Sequence, residues 1–279
     1  MGNSLKKLSI LLIILGLRNI FADRILEEEI TQLSIPNSIA FPKKEECELT
    51  LGYLALSEGI SNISNLIELV STSNWSHVCM IFCPPTEILK PDLHTNNFAE
   101  QFRNINKKNW YCLDIQPEYP DTRLLSWDYL IKQKENTASF VLRAFNYHSD
   151  YPEHETIEKV TSNYVGIPYK KSKLELLLQP LGLNSKRDKN SISCSELTAV
   201  ILEDLNLLQT NKLENNYLPA DFSTQSIKPL TLMHASLCNE FKVPGAIPGQ
   251  AYPQDANRGK LRNLYDKILC FLRLLRRCF

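Results

Sequence analysis

Two patterns of apolar and polar residues occur along the chain: one predicts β-strands and the other predicts α-helices. Both faces of the segment 75–82 are largely apolar, which is typical of a central strand buried on both sides. Apolar residues recur at every third or fourth position in 191–208, which predicts an amphipathic helix. The pattern as a whole predicts strands at 49–56, 75–82, 110–115 and 138–145 and helices at 61–70, 153–165 and 191–208. Strands followed by helices indicate an α+β domain over residues 45–238.

The N-terminal region differs from this body. An apolar run at 8–17 follows Lys6 and Lys7, which is typical of a signal peptide or an uncleaved anchor over residues 1–22. A buried N-terminal helix is the alternative interpretation of the same run. Residues 23–44 form an N-terminal extension. We therefore expect a protein of the secretory pathway, either extracytoplasmic or membrane-associated.

The C-terminal region predicts a linker and a helix. Residues 239–257 are rich in proline and glycine, which is typical of a linker. Residues 258–279 place apolar side chains on one side of a helix and an excess of basic side chains on its flanks and back. Such a helix either docks on the body by its apolar face or lies on an anionic membrane surface.

Composition narrows the classes of function. The 279 residues are 43 % hydrophobic, which permits a substantial core and excludes a wholly disordered chain. The chain has 31 basic and 31 acidic residues, so a globally basic nucleic-acid binder is disfavoured. Eight cysteines occur without a CxxC pair, so a four-cysteine zinc site of the usual spacing is not expected.

Three residues stand out as candidates for chemistry. Cys194 lies in the first turn of the predicted helix 191–208, where the helix dipole and free backbone N–H groups stabilise a thiolate. His77 and Asp114 are polar residues within apolar strands, and each needs a partner there. Cys194 facing His77, with His77 oriented by Asp114, would satisfy all three. A structural role for each residue is the alternative.

Five motifs in order along the chain carry a resemblance to a known family. They are WSHV at 75–78, the Leu113-Asp114 pair, GIPY at 166–169, CSEL at 194–197 and LPADF at 218–222. Together they resemble the circularly permuted NlpC-type papain-like cysteine hydrolases, the YiiX/YaeF-like group, over roughly residues 49–223. The sequence departs from the family pattern at Cys79, where a glycine is frequent; Cys79 shares the strand face of His77.

The resemblance implies a fold, a reaction and a site. The fold is a papain-like α+β domain with an antiparallel sheet packed against helices, one of which carries the nucleophile. The reaction is hydrolysis of an amide or ester through an acyl-enzyme, in the thiol peptidase or amidase class. Cys194 is the implied nucleophile, His77 the general base and Asp114 the third residue. Tyr169 and Trp75 are the predicted substrate-binding residues. No metal or cofactor is expected.

Other interpretations of the same residues stay open or are disfavoured. The protein is alternatively a lipid acyl hydrolase or acyltransferase at a membrane surface, or an inactive papain-like binding domain. The expected partners are a peptide-like or lipid-like acyl substrate and an anionic membrane surface, but no nucleic acid. His77, Cys79 and Cys83 share one strand face, yet three ligands on one strand rarely converge on a tetrahedral ion. Glu196 is expected to be an N-terminal helix charge and His154 a surface residue.

Overall fold

The computed structural model of the chain describes most of the predicted body. The described residues are 37–59, 73–89, 102–117, 119–134, 139–170, 190–209, 212–226 and 230–243, with residues 64, 67, 68, 71 and 179. The predicted segments 1–22 and 258–279, the linker beyond residue 243 and most of the predicted helix 61–70 lie outside the described residues. Within the described part of the chain, no helix is long and apolar enough to cross a membrane.

An antiparallel sheet of seven strands forms the centre of the fold. Its strands are β1 (Thr50–Glu58), β2 (His77–Cys83), β3 (Tyr111–Asp114), β4 (Arg123–Ser126), β5 (Ser139–Tyr147), β6 (Ala235–Leu237) and β7 (Phe241–Lys242). The order is β4-β3-β2-β1-β5-β6, and β7 also pairs with β5. The four predicted strands are confirmed as β1, β2, β3 and β5, and the α+β class is confirmed with them.

Three α-helices lie wholly within the described residues. They are α1 (Trp127–Lys134), α2 (His154–Ser162) and α3 (Cys194–Asp204), and 3-10 helices lie at Pro85–Glu87, Lys107–Asn109, Glu214–Asn216 and Pro219–Phe222. Helix α3 starts three residues later than predicted because Ser193 caps it, its hydroxyl accepting a hydrogen bond from the backbone N–H of Glu196. The helix ends before Asn206, whose φ of 54° is left-handed and terminates the helical turn.

The two faces of the sheet carry separate hydrophobic clusters, because successive side chains of a strand point to opposite sides. We call one the helix face: Val78, Met80 and Leu113 pack there in one cluster with Ile157 of α2 and Leu197 of α3. Burying one such side chain stabilises the fold by about 1.5–3 kcal/mol. Strand β2 is covered on both sides, as its apolar pattern predicts.

We call the other side the aromatic face. Cys79 and Cys112 lie there in one cluster with Trp110, Trp127 and Phe102. The ring centroids of Trp110 and Trp127 are 5.2 Å apart in an edge-to-face arrangement. Pairs of this kind add about 0.5–1.5 kcal/mol beyond the area that they bury. The aromatic side chains therefore pack α1 against this face of the sheet.

The body is longer than the predicted 45–238 at both ends. The backbone N–H of Ile39 donates to the carbonyl oxygen of Leu124 at 2.9 Å, so the chain already contacts the sheet before residue 45. The linker predicted to start at residue 239 is corrected, since β7 pairs with Val141 and Leu142 of β5. The rings of Phe241 and Phe102 also pack together, with centroids 5.5 Å apart.

Two expectations about polar residues change with the structure. The prediction that His154 is a surface residue is wrong: it is only 1 % exposed. Its Nδ1 accepts from the backbone N–H of Leu49 at 2.9 Å, and its Nε2 lies 3.1 Å from the carbonyl oxygen of Pro42. Glu196 does lie in the first turn of α3, but it is fully buried and forms an ion pair with Lys170 at 3.1 Å. Both residues therefore hold the fold together.

Candidate functional site

A histidine and an aspartate meet at the start of β2 on the aromatic face. The Nε2 atom of His77 lies 2.7 Å from Oδ1 of Asp114, which is a hydrogen-bond distance. The register of β2 and β3 pairs Met80 with Leu113, which places the two polar side chains near each other on one face. The pair forms a histidine–carboxylate dyad.

The carboxylate of this dyad is held rigidly. Asp114 is completely buried, and its Oδ1 also accepts from the backbone N–H of Ile115 at 2.8 Å. Its Oδ2 accepts from Nε2 of Gln116 at 2.6 Å. Three donors on one carboxylate offset the cost of burying it. The ring of His77, whose side chain is 12 % exposed, is therefore oriented by a fixed partner.

Two thiols lie beside the dyad. The side-chain ligand atoms of His77, Cys79 and Asp114 all lie within 4.8 Å of one another. Hydrogen bonding from the thiol of Cys112, and a weaker contribution from His77, lower the pKa of Cys79 to about 7, although burial and the Asp114 carboxylate oppose this. Cys79 thus has more thiolate character than an ordinary buried cysteine.

Cys194 lies elsewhere in the packing. It is the first residue of α3 and is 5 % exposed. It packs in the cluster of the helix face, with Val78 and Leu197, whereas His77 points to the aromatic face beside Cys79. Its thiol makes no hydrogen bond to any residue that the structure describes. Of the three predicted catalytic residues, His77 and Asp114 are hydrogen-bonded to each other, and Cys194 is not a member of the group that they form with Cys79.

The two predicted substrate-binding residues accompany Cys194. Trp75 and Tyr169 are both buried in the cluster of the helix face. Tyr169 forms a parallel bridge with Ile192, two residues before the start of α3. The indole N–H of Trp75 is buried and has no hydrogen-bond partner among the described residues. Both side chains therefore belong to the same mostly apolar cluster as Cys194.

Sequence reasoning missed Cys112 and Tyr119 as members of the polar group around His77. Cys112 has the strand parity of Asp114, so alternation alone places the two side chains on one face. The proximity of Cys112 to Cys79 depends on the pairing of Ile81 with Cys112, which no sequence pattern supplies. Tyr119 follows β3 in an irregular segment, and only the folded chain places it near Asp114.

Comparison with known proteins identifies no family. No family model matches the chain, and no curated protein matches it. Among solved structures the chain is similar to the metalloprotein yiiX from Escherichia coli O157:H7, with a TM-score of 0.35 and 14 % identity. The match covers 56 % of this chain and 66 % of that chain, which is just under two thirds of its length. That protein bears the name of the group that the sequence motifs resemble.

Proposed function

We propose that the protein is a cysteine hydrolase of amide or ester bonds in which His77 is the general base. The observation that carries this proposal is the 2.7 Å hydrogen bond between His77 and the buried Asp114. A carboxylate in this position holds the imidazole in one tautomer and stabilises the imidazolium that forms when it takes a proton. We also propose that the chain has a papain-like fold and that it is a member of the permuted NlpC-type family.

Cys194 is the proposed nucleophile. It occupies the first turn of α3, where the helix dipole favours a thiolate and a developing oxyanion. The thiolate attacks the substrate carbonyl, and the leaving group departs with the proton that His77 took from the thiol. Water, deprotonated by His77, then attacks the acyl-enzyme and releases the acid and the free thiol. Trp75 and Tyr169 line the substrate side of the thiol.

This mechanism requires Cys194 and His77 to meet when substrate binds. Catalytic hydrogen bonds are often long or absent before a substrate is bound. Cys79 is the second candidate nucleophile, because its thiol already contacts His77 and has a lowered pKa. Cys79 is only 2 % exposed and lies within β2, however, so a substrate carbonyl has less access to it than to a helix start.

The experiment is a substrate screen of the full chain with peptide amides, acyl esters and thioesters. We expect turnover of at least one class that is abolished in Cys194→Ala and in His77→Ala. Cys83→Ala, at a buried cysteine on the same strand as His77, is the matched control and keeps turnover. Loss of turnover in Cys79→Ala but not in Cys194→Ala would transfer the role of nucleophile to Cys79. Turnover that survives in His77→Ala would overturn the proposal.

A further inference from the structure

We propose that His77, Cys79, Cys112 and Asp114 form a binding site for a zinc ion. These four side chains come from two adjacent strands; the ligand atoms of His77, Cys79 and Asp114 lie close together, and Cys112 lies with Cys79 in the cluster of the aromatic face. One imidazole, two thiols and one carboxylate are a donor set that Zn²⁺ binds in tetrahedral geometry. The sequence alone disfavoured a metal because His77, Cys79 and Cys83 lie on one strand. The structure supplies the missing ligands from the neighbouring strand.

The geometry of the group is close to that of a metal site. Zinc–ligand distances of about 2.0–2.3 Å imply separations of about 3.3–3.8 Å between the ligand atoms of a tetrahedral site. The ligand atoms of His77, Cys79 and Asp114 already lie within 4.8 Å of one another. The thiol of Cys112 is within hydrogen-bonding reach of Cys79. Closing the site around an ion therefore requires these three ligand atoms to approach one another by at most about 1.5 Å and the thiol of Cys112 to turn toward them.

The surroundings of the group support the same inference. Cys79, Cys112 and Asp114 are buried, and His77 is the one partly exposed member, so it marks the entry path from solvent. The hydrogen bonds that Ile115 and Gln116 donate to Asp114 fix the orientation of that carboxylate. Outer partners of this kind orient the ligands of metal sites and raise their affinity.

Tyr119 lies near the group. Tyr119 is 4 % exposed, and its buried hydroxyl has no hydrogen-bond partner among the described residues. Asp114, Cys112 and Cys79 are close enough to act on it electrostatically. Buried hydroxyls are nearly always hydrogen-bonded, so this hydroxyl can hydrogen-bond a water that accompanies a bound ion.

When Zn²⁺ binds, it replaces the protons of two thiols, and the overall charge and the atoms balance. The thiols of Cys79 and Cys112 release their protons to solvent, and the metal replaces the hydrogen bond between His77 and Asp114. A zinc-bound His77 cannot accept a proton from a thiol. Zinc would therefore inhibit the proposed hydrolysis, and this one consequence rests on the proposed function. The metal site itself does not.

The test measures metal binding by the full chain, without any substrate. The metal-stripped protein is titrated with Zn²⁺ against a chromophoric chelator, and X-ray absorption at the zinc edge counts its sulfur neighbours. We expect one ion per chain with two sulfur ligands at about 2.3 Å. Cys79→Ser and Cys112→Ser each lower the affinity at least 100-fold. Cys83→Ser, at a buried cysteine of the same strand and face, leaves it unchanged.

The outcomes separate this proposal from the proposed function. Cys194→Ala, which abolishes the proposed hydrolysis, leaves zinc affinity unchanged if the metal site is correct. The site is refuted if the wild-type chain binds no zinc, or if its bound zinc has no sulfur neighbours. Equal affinity in the wild type and in Cys112→Ser refutes it as well. If a cysteine variant does not fold, the sulfur count of the wild-type zinc spectrum decides alone.

Discussion

The two faces of strand β2 differ in chemistry although their residues alternate along one short segment. On the helix face, Val78 and Met80 pack with α3 in a cluster that is almost wholly apolar. On the aromatic face, His77 and Cys79 belong to a polar group that ends in the buried carboxylate of Asp114. One face thus stabilises the fold by packing, and the other holds reactive groups by hydrogen bonds. The predicted nucleophile Cys194 lies with the first face, and its predicted base lies with the second.

The largest effect is expected from the polar group. Asp114→Ala leaves His77, the N–H of Ile115 and Gln116 without their carboxylate partner, and we expect it to lower the free energy of unfolding by about 3–5 kcal/mol. Chemical denaturation of the metal-free chain measures this. Asp150→Ala, at an exposed aspartate, is the control and should change stability by less than about 0.5 kcal/mol. A loss below about 1 kcal/mol at Asp114 would show that its hydrogen bonds contribute little.

The helix face is tested by Leu197→Ala. Leu197 is 2 % exposed in the cluster between α3 and the sheet. Truncating it removes buried methyl groups and leaves a cavity, so we expect a loss of about 2–5 kcal/mol in the same measurement. Leu213→Ala, at a leucine that is 45 % exposed, should cost less than about 0.5 kcal/mol. Similar small losses at both leucines would contradict the assignment of α3 to this cluster.

Much of the fold follows from the sequence because it depends on local periodicity. Strands β1, β2, β3 and β5 and helix α3 each carry a pattern long enough to recognise. Strand β4 has four residues and β7 has two, and both are defined by pairing with a distant strand. The proline and glycine residues after Val243 made 239–257 resemble a linker, although Phe241 packs in the core. Pairing with distant strands determines the secondary structure of such short segments, and a local sequence pattern does not predict that pairing.

The candidate site, like the fold, could be predicted from the sequence only in part. The proximity of His77 and Asp114 was predicted because each is a polar residue in an apolar strand and needs a partner. The separation of Cys194 from them was not predicted, because the sequence does not say which face of the sheet α3 covers. The role of Cys112 depends on the register between β2 and β3, which arises only from folding.

A smaller effect concerns the pH dependence of stability through Cys79. Its pKa in the folded chain is lowered from 9.0 to about 7. Folding therefore favours the thiolate, and this contribution is fully present above pH 9.0 and is lost as the pH falls through about 7. In the metal-free chain, we expect wild type to gain on the order of 2 kcal/mol relative to Cys79→Ala between pH 6 and pH 9. A constant difference between the two proteins would contradict the lowered pKa.

The smallest effect is expected at Cys194 itself. Its thiol makes no hydrogen bond with the described residues, so Cys194→Ala removes only packing of one sulfur atom. We expect a loss of about 1 kcal/mol in the free energy of unfolding. A loss as large as that of Asp114→Ala would mean that Cys194 has a structural role beyond packing, and the comparison of the two faces would need revision.

The central claim is that His77, oriented by Asp114, activates a cysteine. The most direct test is the rate of alkylation of each cysteine against pH, mapped by mass spectrometry in the metal-free chain and in His77→Ala. An ordinary thiol has a pKa of about 8.5 and reacts slowly at about pH 6. The account predicts that an alkylating agent built on an acyl substrate, whose binding brings Cys194 to His77, labels Cys194 at about pH 6 faster than the half-buried Cys238, and that His77→Ala removes this advantage. Equal rates for Cys194 in both proteins, at the level of Cys238, would contradict it.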